Sequence, residues 1–243
     1  MASARSRIIA RRFGARAKDY DRHAGLQRAI AARLAASLPA LEAPRILELG
    51  CGTGLLTRHL LALYPDAVLD VTDIAPAMVA ACKAACGGGK RVRYSVMDAE
   101  APDLSGPFDL IAMSMTAQWF DHPSESLQSL TRLLSESGQL HYATIAPGGF
   151  SEWRQALAAE GLDSGLVAMP DLPGVTEVEL RRIDYGDALS FLRSLKAIGA
   201  SAGREGYVPL APGALRRALA RLDSDHGACV TWRIAYGCIT ADG

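Results

Sequence analysis

Three glycines on alternate positions, Gly50, Gly52 and Gly54, follow the apolar run Ile46-Leu47-Glu48-Leu49, and Leu55-Leu56 opens a predicted helix. Without a Cβ the chain can turn sharply there and let a ligand lie against its backbone. The helix N-terminus beyond would add unpaired N–H groups and a partial positive charge. This E-x-G-x-G-x-G pattern fits neither the dinucleotide fingerprint G-x-G-x-x-G nor the triphosphate loop, which needs a lysine after its last glycine. Glu48 would repel a pyrophosphate and suits a cation instead. About 20 residues on, the strand-like Val68-Leu69-Asp70-Val71-Thr72 ends in Asp73, the place where an acid at the tip of a second strand receives ribose hydroxyls. A strand-to-helix turn with no ligand is the alternative, disfavoured by the ordered series of glycines, acid and further strands.

The elements around these residues alternate. Residues 8–38 read as helical with a break near 21–25: Ile9, Phe13 and Tyr20 share one face, then Leu26, Ile30 and Leu34 another. Ordinary packing accounts for Phe13 and Tyr20 on composition alone. Strands are predicted over 67–72, 91–96, 107–114 and 139–145, with helices over 55–63, from Pro76 to the Gly87-Gly88-Gly89 run, and over 124–134. Such alternation demands a parallel sheet covered on both faces. The last third departs from it: a helix over 150–160, a loop to Gly174, a strand over 176–185, a helix capped by Asp187 and running to Gly199, and a long strand over 228–240. Leu189, Leu192, Leu195 and Ile198 form that helix's predicted apolar stripe, with Arg193 and Lys196 sharing a face outside it.

Lys+Arg and Asp+Glu are 26 each among 243 residues, so no global field draws the chain to nucleic acid or to anionic membrane. No apolar run reaches the ~20 residues that span a bilayer. The arginine-rich first 16 residues lack the apolar core of a secretory signal. Five cysteines without paired C-x-x-C spacing imply reduced thiols in the cytoplasm rather than a metal site.

The series Glu48-Leu-Gly-Cys-Gly-Thr-Gly54, followed by Asp73-Ile-Ala-Pro-Ala-Met78, resembles the class I S-adenosylmethionine-dependent methyltransferases. The resemblance implies a Rossmann-like α/β fold: a seven-stranded, mostly parallel sheet with helices on both faces, its last strand antiparallel. N-terminal helices and a lid-like insertion after strand five would complete one domain, 1–243, made of a helical segment 1–44, a cofactor core 45–146 and a substrate side 147–243. It further implies that the glycine loop takes the methionine part of S-adenosylmethionine, that Asp73 takes the ribose, and that Asp98, beside Ala99, takes the adenine amino group. An Asx turn before Pro102 is the plain alternative for Asp98. The implied cofactor residues are Gln27, Glu48, Gly50, Cys51, Gly52, Gly54, Asp73, Ile74, Asp98, Ala99 and Ser114, with S-adenosylhomocysteine as product.

Residues 13–28, the Thr116-Ala-Gln-Trp-Phe120 stretch and residues 187–200 together resemble the malonyl-acyl-carrier-protein O-methyltransferases of biotin synthesis. That implies methylation of the free carboxylate of a malonyl thioester, on acyl carrier protein or on coenzyme A. A carboxylate is ionised at pH 7, so positioning and desolvation suffice and no general base is required. Tyr20, Gln118, Trp119 and Arg193 are the expected positioning residues, with the Arg193 fork on the carboxylate. Core packing is the alternative for Trp119, and a solvated helix face for Arg193. Lys196, Arg181, Arg182 and Arg204 are candidate contacts for an acidic carrier protein. A methyltransferase of another small acceptor, such as a free dicarboxylate or quinone precursor, and a non-catalytic cofactor-binding protein stay open.

Overall fold

The computed structural model describes residues 4–14, 24–166, 168–197 and 206–241. Seven strands form one sheet in the order β3-β2-β1-β4-β5-β7-β6: β1 (Arg45–Leu49), β2 (Val68–Asp73), β3 (Val92–Val96), β4 (Phe108–Ser114), β5 (Leu134–Ile145), β6 (Val175–Asp184) and β7 (Cys229–Thr240). By its internal contacts the chain divides into two compact units, 1–144 with 172–177 and 235–243, and 145–171 with 178–234.

In the first unit β1 lies between β2 and β4 and runs parallel to both, with Ile46 opposite Leu69 and Leu110. The chain leaves β1, β2, β4 and β5 at one end of the sheet, because all four are parallel. Ile46, Leu47 and Leu49 are fully buried, as expected of a strand covered on both faces. The helices are α1 (Ala4–Gly14), α2 (Gly25–Ala36), α3 (Thr57–Leu63), α4 (Pro76–Cys86) and α5 (Pro123–Leu130). Ile30, Ala31 and Leu34 of α2 are buried, and α1 packs on α4. The arginine-rich N-terminal stretch is thus part of the fold from Ala4 on.

Two boundaries differ from expectation. The helix after the glycines begins at Thr57, because residues 52–56 form a run of turns. β5 begins at Leu134, five residues before the expected 139. Its register against β4 jumps from Phe108–Leu134 to Leu110–Gln139, and Gly138 sits inside that irregularity. A Cβ there would come within 2.6 Å of the Phe108 carbonyl, so the glycine marks an internal bulge rather than a strand start.

β6 and β7 pair with opposite sense: Cys238 N–H donates to Gly174 O, while Tyr185 N–H donates to Ala228 O. β7 also opposes the chain leaving β5, where Ala146 N–H donates to Arg233 O and Phe150 N–H to Thr231 O, so it is the antiparallel strand. The second unit contains α6 (Ser151–Ala159), α7 (Ala188–Ala197) and α8 (Pro212–His226). Its core is aromatic. Phe150 meets Trp232 edge-on at 4.6 Å between ring centroids, and Phe191 contacts Phe150, Trp153 and Tyr185. Asp187 caps α7 as expected, accepting the Ser190 N–H at 2.6 Å. The buried stripe of α7 is Ala188, Phe191 and Leu195, whereas Leu189 is exposed and Ile198 lies outside the described residues. Helix α8 has no counterpart in the sequence reading. Ala218 and Leu222 are its buried residues, a stripe too thin to stand out among its arginines.

Candidate cofactor site

Glu48 points from β1 into a cleft at the ligand end of the parallel strands and is 1% exposed. Burial pushes its carboxyl up to about 8, against hydrogen bonds from Thr57 that favour the charged form. Its Oε2 has no partner. Gln27 of α2, also buried, faces the same cleft with its Oε1 unpartnered. Buried acceptors are costly to leave unmade. Two of them in one cleft call for a donor, and beside a carboxylate a cationic donor fits best.

Gly50 stands at φ +70°, and a Cβ there would collide with Thr116 Oγ1. That hydroxyl donates toward the Leu49 and Ser114 carbonyls, stitching the end of β1 to the end of β4. Asp73, 8% exposed, accepts the Gly52 N–H on one oxygen (2.9 Å) and the Ala75 N–H on the other (2.8 Å). Burial raises its pKa and these two bonds oppose the rise. The Cys51 N–H goes to Thr72 O and the Gly54 N–H to Cys51 O. These loop N–H groups are therefore committed inside the protein, and the expected cradle of free helix-terminal N–H groups is not what this loop presents. It is a rigid backbone wall held by Asp73.

Ile74, Asp98, Ala99, Ser114 and Trp119 line the cleft together with Cys51, Gly50 and Gly52. The Asx turn is also present, since Asp98 Oδ1 accepts the Glu100 N–H, so Asp98 is at once a turn residue and a cleft residue. Trp119 meets Phe13 of α1 edge-on at 5.2 Å. Its ring is cleft wall rather than deep core.

Gly54 and Gln118 are placed elsewhere. A Cβ on Gly54 would run into Cys86 Sγ and lie 3.1 Å from Cys82 Sγ, so this glycine makes room for α4. Gln118 donates from Nε2 to Met115 O (2.8 Å) and accepts the Thr144 hydroxyl on Oε1 (2.6 Å). One end of its amide thus latches Met115, a residue at φ 55°, and the other end holds β5 at Thr144. Arg193 is exposed on α7, in the second unit, and Tyr20 lies outside the described residues.

Ser6 and Ile9 of α1, Met97, Glu100 and Thr116 belong to the lining without having been anticipated. The Glu100 carboxylate collects the Asp121 and His122 N–H groups and the Ser126 hydroxyl, fixing the loop that carries Trp119, a long-range role that no local pattern announces. The thiols of buried Cys51 and Cys82 and half-buried Cys86 form a group under the glycine loop, with Thr57 Oγ1 3.2 Å from Cys82 Sγ. Burial and mutual contact raise their pKa values and keep them protonated. All five cysteines are free.

A family profile described as a methyltransferase domain matches residues 47–140. The malonyl-[acyl-carrier protein] O-methyltransferase of Magnetococcus marinus is 35% identical, over 96% of this chain and 92% of its own. The chain belongs to the malonyl-[acyl-carrier protein] O-methyltransferase family. A second relative of the family, the biotin biosynthesis bifunctional protein BioCD of Bordetella avium, is 43% identical over 95% of this chain; the chain spans 52% of that relative's length. Among solved structures, the YcgJ protein from Bacillus subtilis superposes with a TM-score of 0.61 at 13% identity, covering 86% of this chain and 97% of its own, which supports the fold. Among the described residues no helix is long and apolar enough to cross a membrane.

Proposed function

We propose that this enzyme methylates the free carboxylate of a malonyl thioester carried on acyl carrier protein, giving the ester that enters pimeloyl synthesis for biotin. The observation that carries the reading is the pair of orphaned acceptors, Gln27 Oε1 and Glu48 Oε2, in one cleft with Asp73 and Asp98. That set matches S-adenosylmethionine group by group. Gln27 and Glu48 accept the ammonium of its methionine part, Asp73 has lone pairs left for ribose hydroxyls, and Asp98 accepts the adenine amino group. The methionine part lies along the backbone of Gly50, Cys51 and Gly52. Ile74, Ala99 and Ser114 supply the rest of the wall. Bound there, the cofactor supplies a methyl group activated on a sulfonium.

The protein's own part is positioning. A carboxylate acceptor is ionised at pH 7, so no side chain has to take its proton. The carboxylates fit that chemistry as binding groups: Glu48 faces the ammonium and Asp73 is bound by two N–H groups. Trp119 and Phe13 present an apolar wall that excludes water from the reacting oxygen. Tyr20 is the further positioning group implied by the family.

Recognition of an acidic carrier protein falls to exposed cations. Arg193 and Lys196 stand three residues apart on α7, and Arg182 is exposed on β6, whereas Arg181 is paired with Glu179 at 2.8 Å. The enzyme works in the cytoplasm, where malonyl thioesters and reduced thiols coexist.

Mass spectrometry of malonyl-carrier protein incubated with enzyme and S-adenosylmethionine tests the reading, with malonyl-coenzyme A, free malonate and acetyl-carrier protein alongside. A one-methyl gain on the malonyl thioester and none on the acetyl control is the expected result. Gain on free malonate alone would move the assignment to a small-acid methyltransferase.

A further inference from the structure

Glu100 is half-buried in the wall of the cofactor cleft, shortly after Asp98. Its backbone is fixed from that side. Glu100 N–H donates to Asp98 Oδ1 at 3.1 Å, and Met97 N–H donates to Asp73 O at 3.0 Å. The turn that offers Asp98 and Ala99 to the cleft is therefore tied back to the end of β2.

The carboxylate of Glu100 faces the other way along the chain. Asp121 N–H lies 3.0 and 2.9 Å from its two oxygens, His122 N–H donates at 3.3 Å and the Ser126 hydroxyl at 2.8 Å. Asp121 and His122 follow Trp119-Phe120 directly, and Ser126 belongs to the start of α5. The near end of the same segment is also held, since Gln118 Nε2 donates to Met115 O and Met115 N–H to Ala143 O. Trp119 stands between these two anchors, in the cleft lining and edge-on to Phe13.

A carboxylate at a helix N-terminus satisfies unpaired N–H groups and suits the local dipole, so a cap that serves α5 alone is the plain alternative. Such a cap has no need to stand in a cleft wall. Here one side chain joins the turn that carries Asp98 to the segment that carries Trp119, and both ends of that link line the same cleft.

We propose that Glu100 is a positioning residue for methyl transfer: its carboxylate sets Trp119 against the cleft and couples that wall to the turn carrying Asp98. The inference rests on the reading above, in which Asp98 takes the adenine and Trp119 shields the reacting oxygen. Cofactor seated on Asp98 then steadies the wall that the acceptor meets. Near-attack geometry is sensitive to displacements of about 1 Å, so a link of this kind acts on rate without touching substrate.

Glu100→Gln is the test. The amide keeps the shape but accepts on one side only, and its NH2 faces an N–H donor. In protein labelled with fluorotryptophan, the fluorine resonance that disappears in Trp119→Ala identifies Trp119. That resonance is expected to shift or broaden in ligand-free Glu100→Gln and to lose most of its response to S-adenosylhomocysteine. The kcat/KM for malonyl-carrier protein should fall about 10- to 100-fold. Trp119→Ala should lower it as well, and Glu100→Gln should add little to that loss, because residues acting as one unit are not additive. An unchanged Trp119 resonance in Glu100→Gln, or losses that add in the double variant, overturns the inference and leaves Glu100 a helix cap. Should Glu100→Gln melt far below the wild type, Ser126→Ala decides, since it keeps the carboxylate and removes one donor. A wild-type resonance together with wild-type kcat/KM in that variant overturns the inference equally. A wild type that methylates no malonyl thioester would instead sink the functional reading, while the resonance of the ligand-free protein still tests Glu100.

Discussion

The two units differ in the sign of what they leave unsatisfied. In the first, the buried atoms without partners in the cleft are acceptors, Gln27 Oε1 and Glu48 Oε2; in the second, the orphan is a donor, Arg233 Nε. A third unpartnered acceptor of the first unit, Asp70 Oδ2, is a different case, since Arg45 and Arg93 stand 3.8 and 3.9 Å from its carboxylate and supply the opposite charge. The first unit thus asks for a cation in its cleft, which a methyl donor with an ammonium group supplies.

The strongest perturbation of the cation-seeking unit is Asp73→Ala. It removes the acceptor for both the Gly52 and Ala75 N–H groups, along with the group offered to the ribose. Hydrogen bonds to a charged group contribute about 1.5–3 kcal/mol each, so S-adenosylmethionine affinity should fall at least ~100-fold by calorimetry. Asp73→Asn should recover a fraction. Wild-type affinity in Asp73→Ala would remove Asp73 from the site.

Gly50→Ala breaks the wall of the same cleft by shape alone. The new Cβ meets Thr116 Oγ1 and Cγ2 at a φ of +70°. Overpacking and a left-handed backbone for a non-glycine together cost about 2–4 kcal/mol. Denaturant unfolding should show that loss, and a second change, Thr116→Ala, should return part of it. An additive double variant would mean that the contact is not the cause.

Glu48 sharpens the comparison through pH. Its ordinary value is 4.5 and the folded value is about 8, so the fold favours the neutral form. Stability from this group is full below the ordinary value and is lost as pH climbs toward 8, at a slope approaching ~1.4 kcal/mol per pH unit. Glu48→Gln removes that slope. Melting curves of the ligand-free proteins should coincide near pH 4.5 and separate upward, with the variant the more stable. Parallel curves would show that Glu48 is already ionised in the ligand-free cleft.

The first unit was largely readable because its information is local. Glycines at fixed spacing, an acid at the end of each of two strands and the strand–helix alternation are all short-range patterns, and Glu48, Asp73 and Asp98 fall where those patterns put them. What failed there depended on which way a residue faces. Gly54 turns to α4 and Gln118 latches its own loop, and neither direction is encoded in spacing. The second unit was harder to read because its organisation is long-range. Its aromatic core joins residues 150, 153, 185, 191 and 232, and the thin stripe of α8 gives no periodic signal.

The smallest effect is expected at Arg193, an exposed cation of the second unit. Arg193 is exposed on α7 near the carboxylate of Asp187. A solvated cation acts on a partner through a screened field whose reach is about 8 Å at physiological ionic strength. If its role is to meet an acidic carrier protein, Arg193→Ala should raise KM for malonyl-carrier protein only a few-fold at low salt, in line with the about 0.2–1 kcal/mol of exposed ion pairs. The difference from wild type should vanish as salt rises, and KM for malonyl-coenzyme A, which brings no protein surface, should not follow it. A salt-independent, tenfold loss in Arg193→Ala on both thioesters would instead return the carboxylate to the helix face.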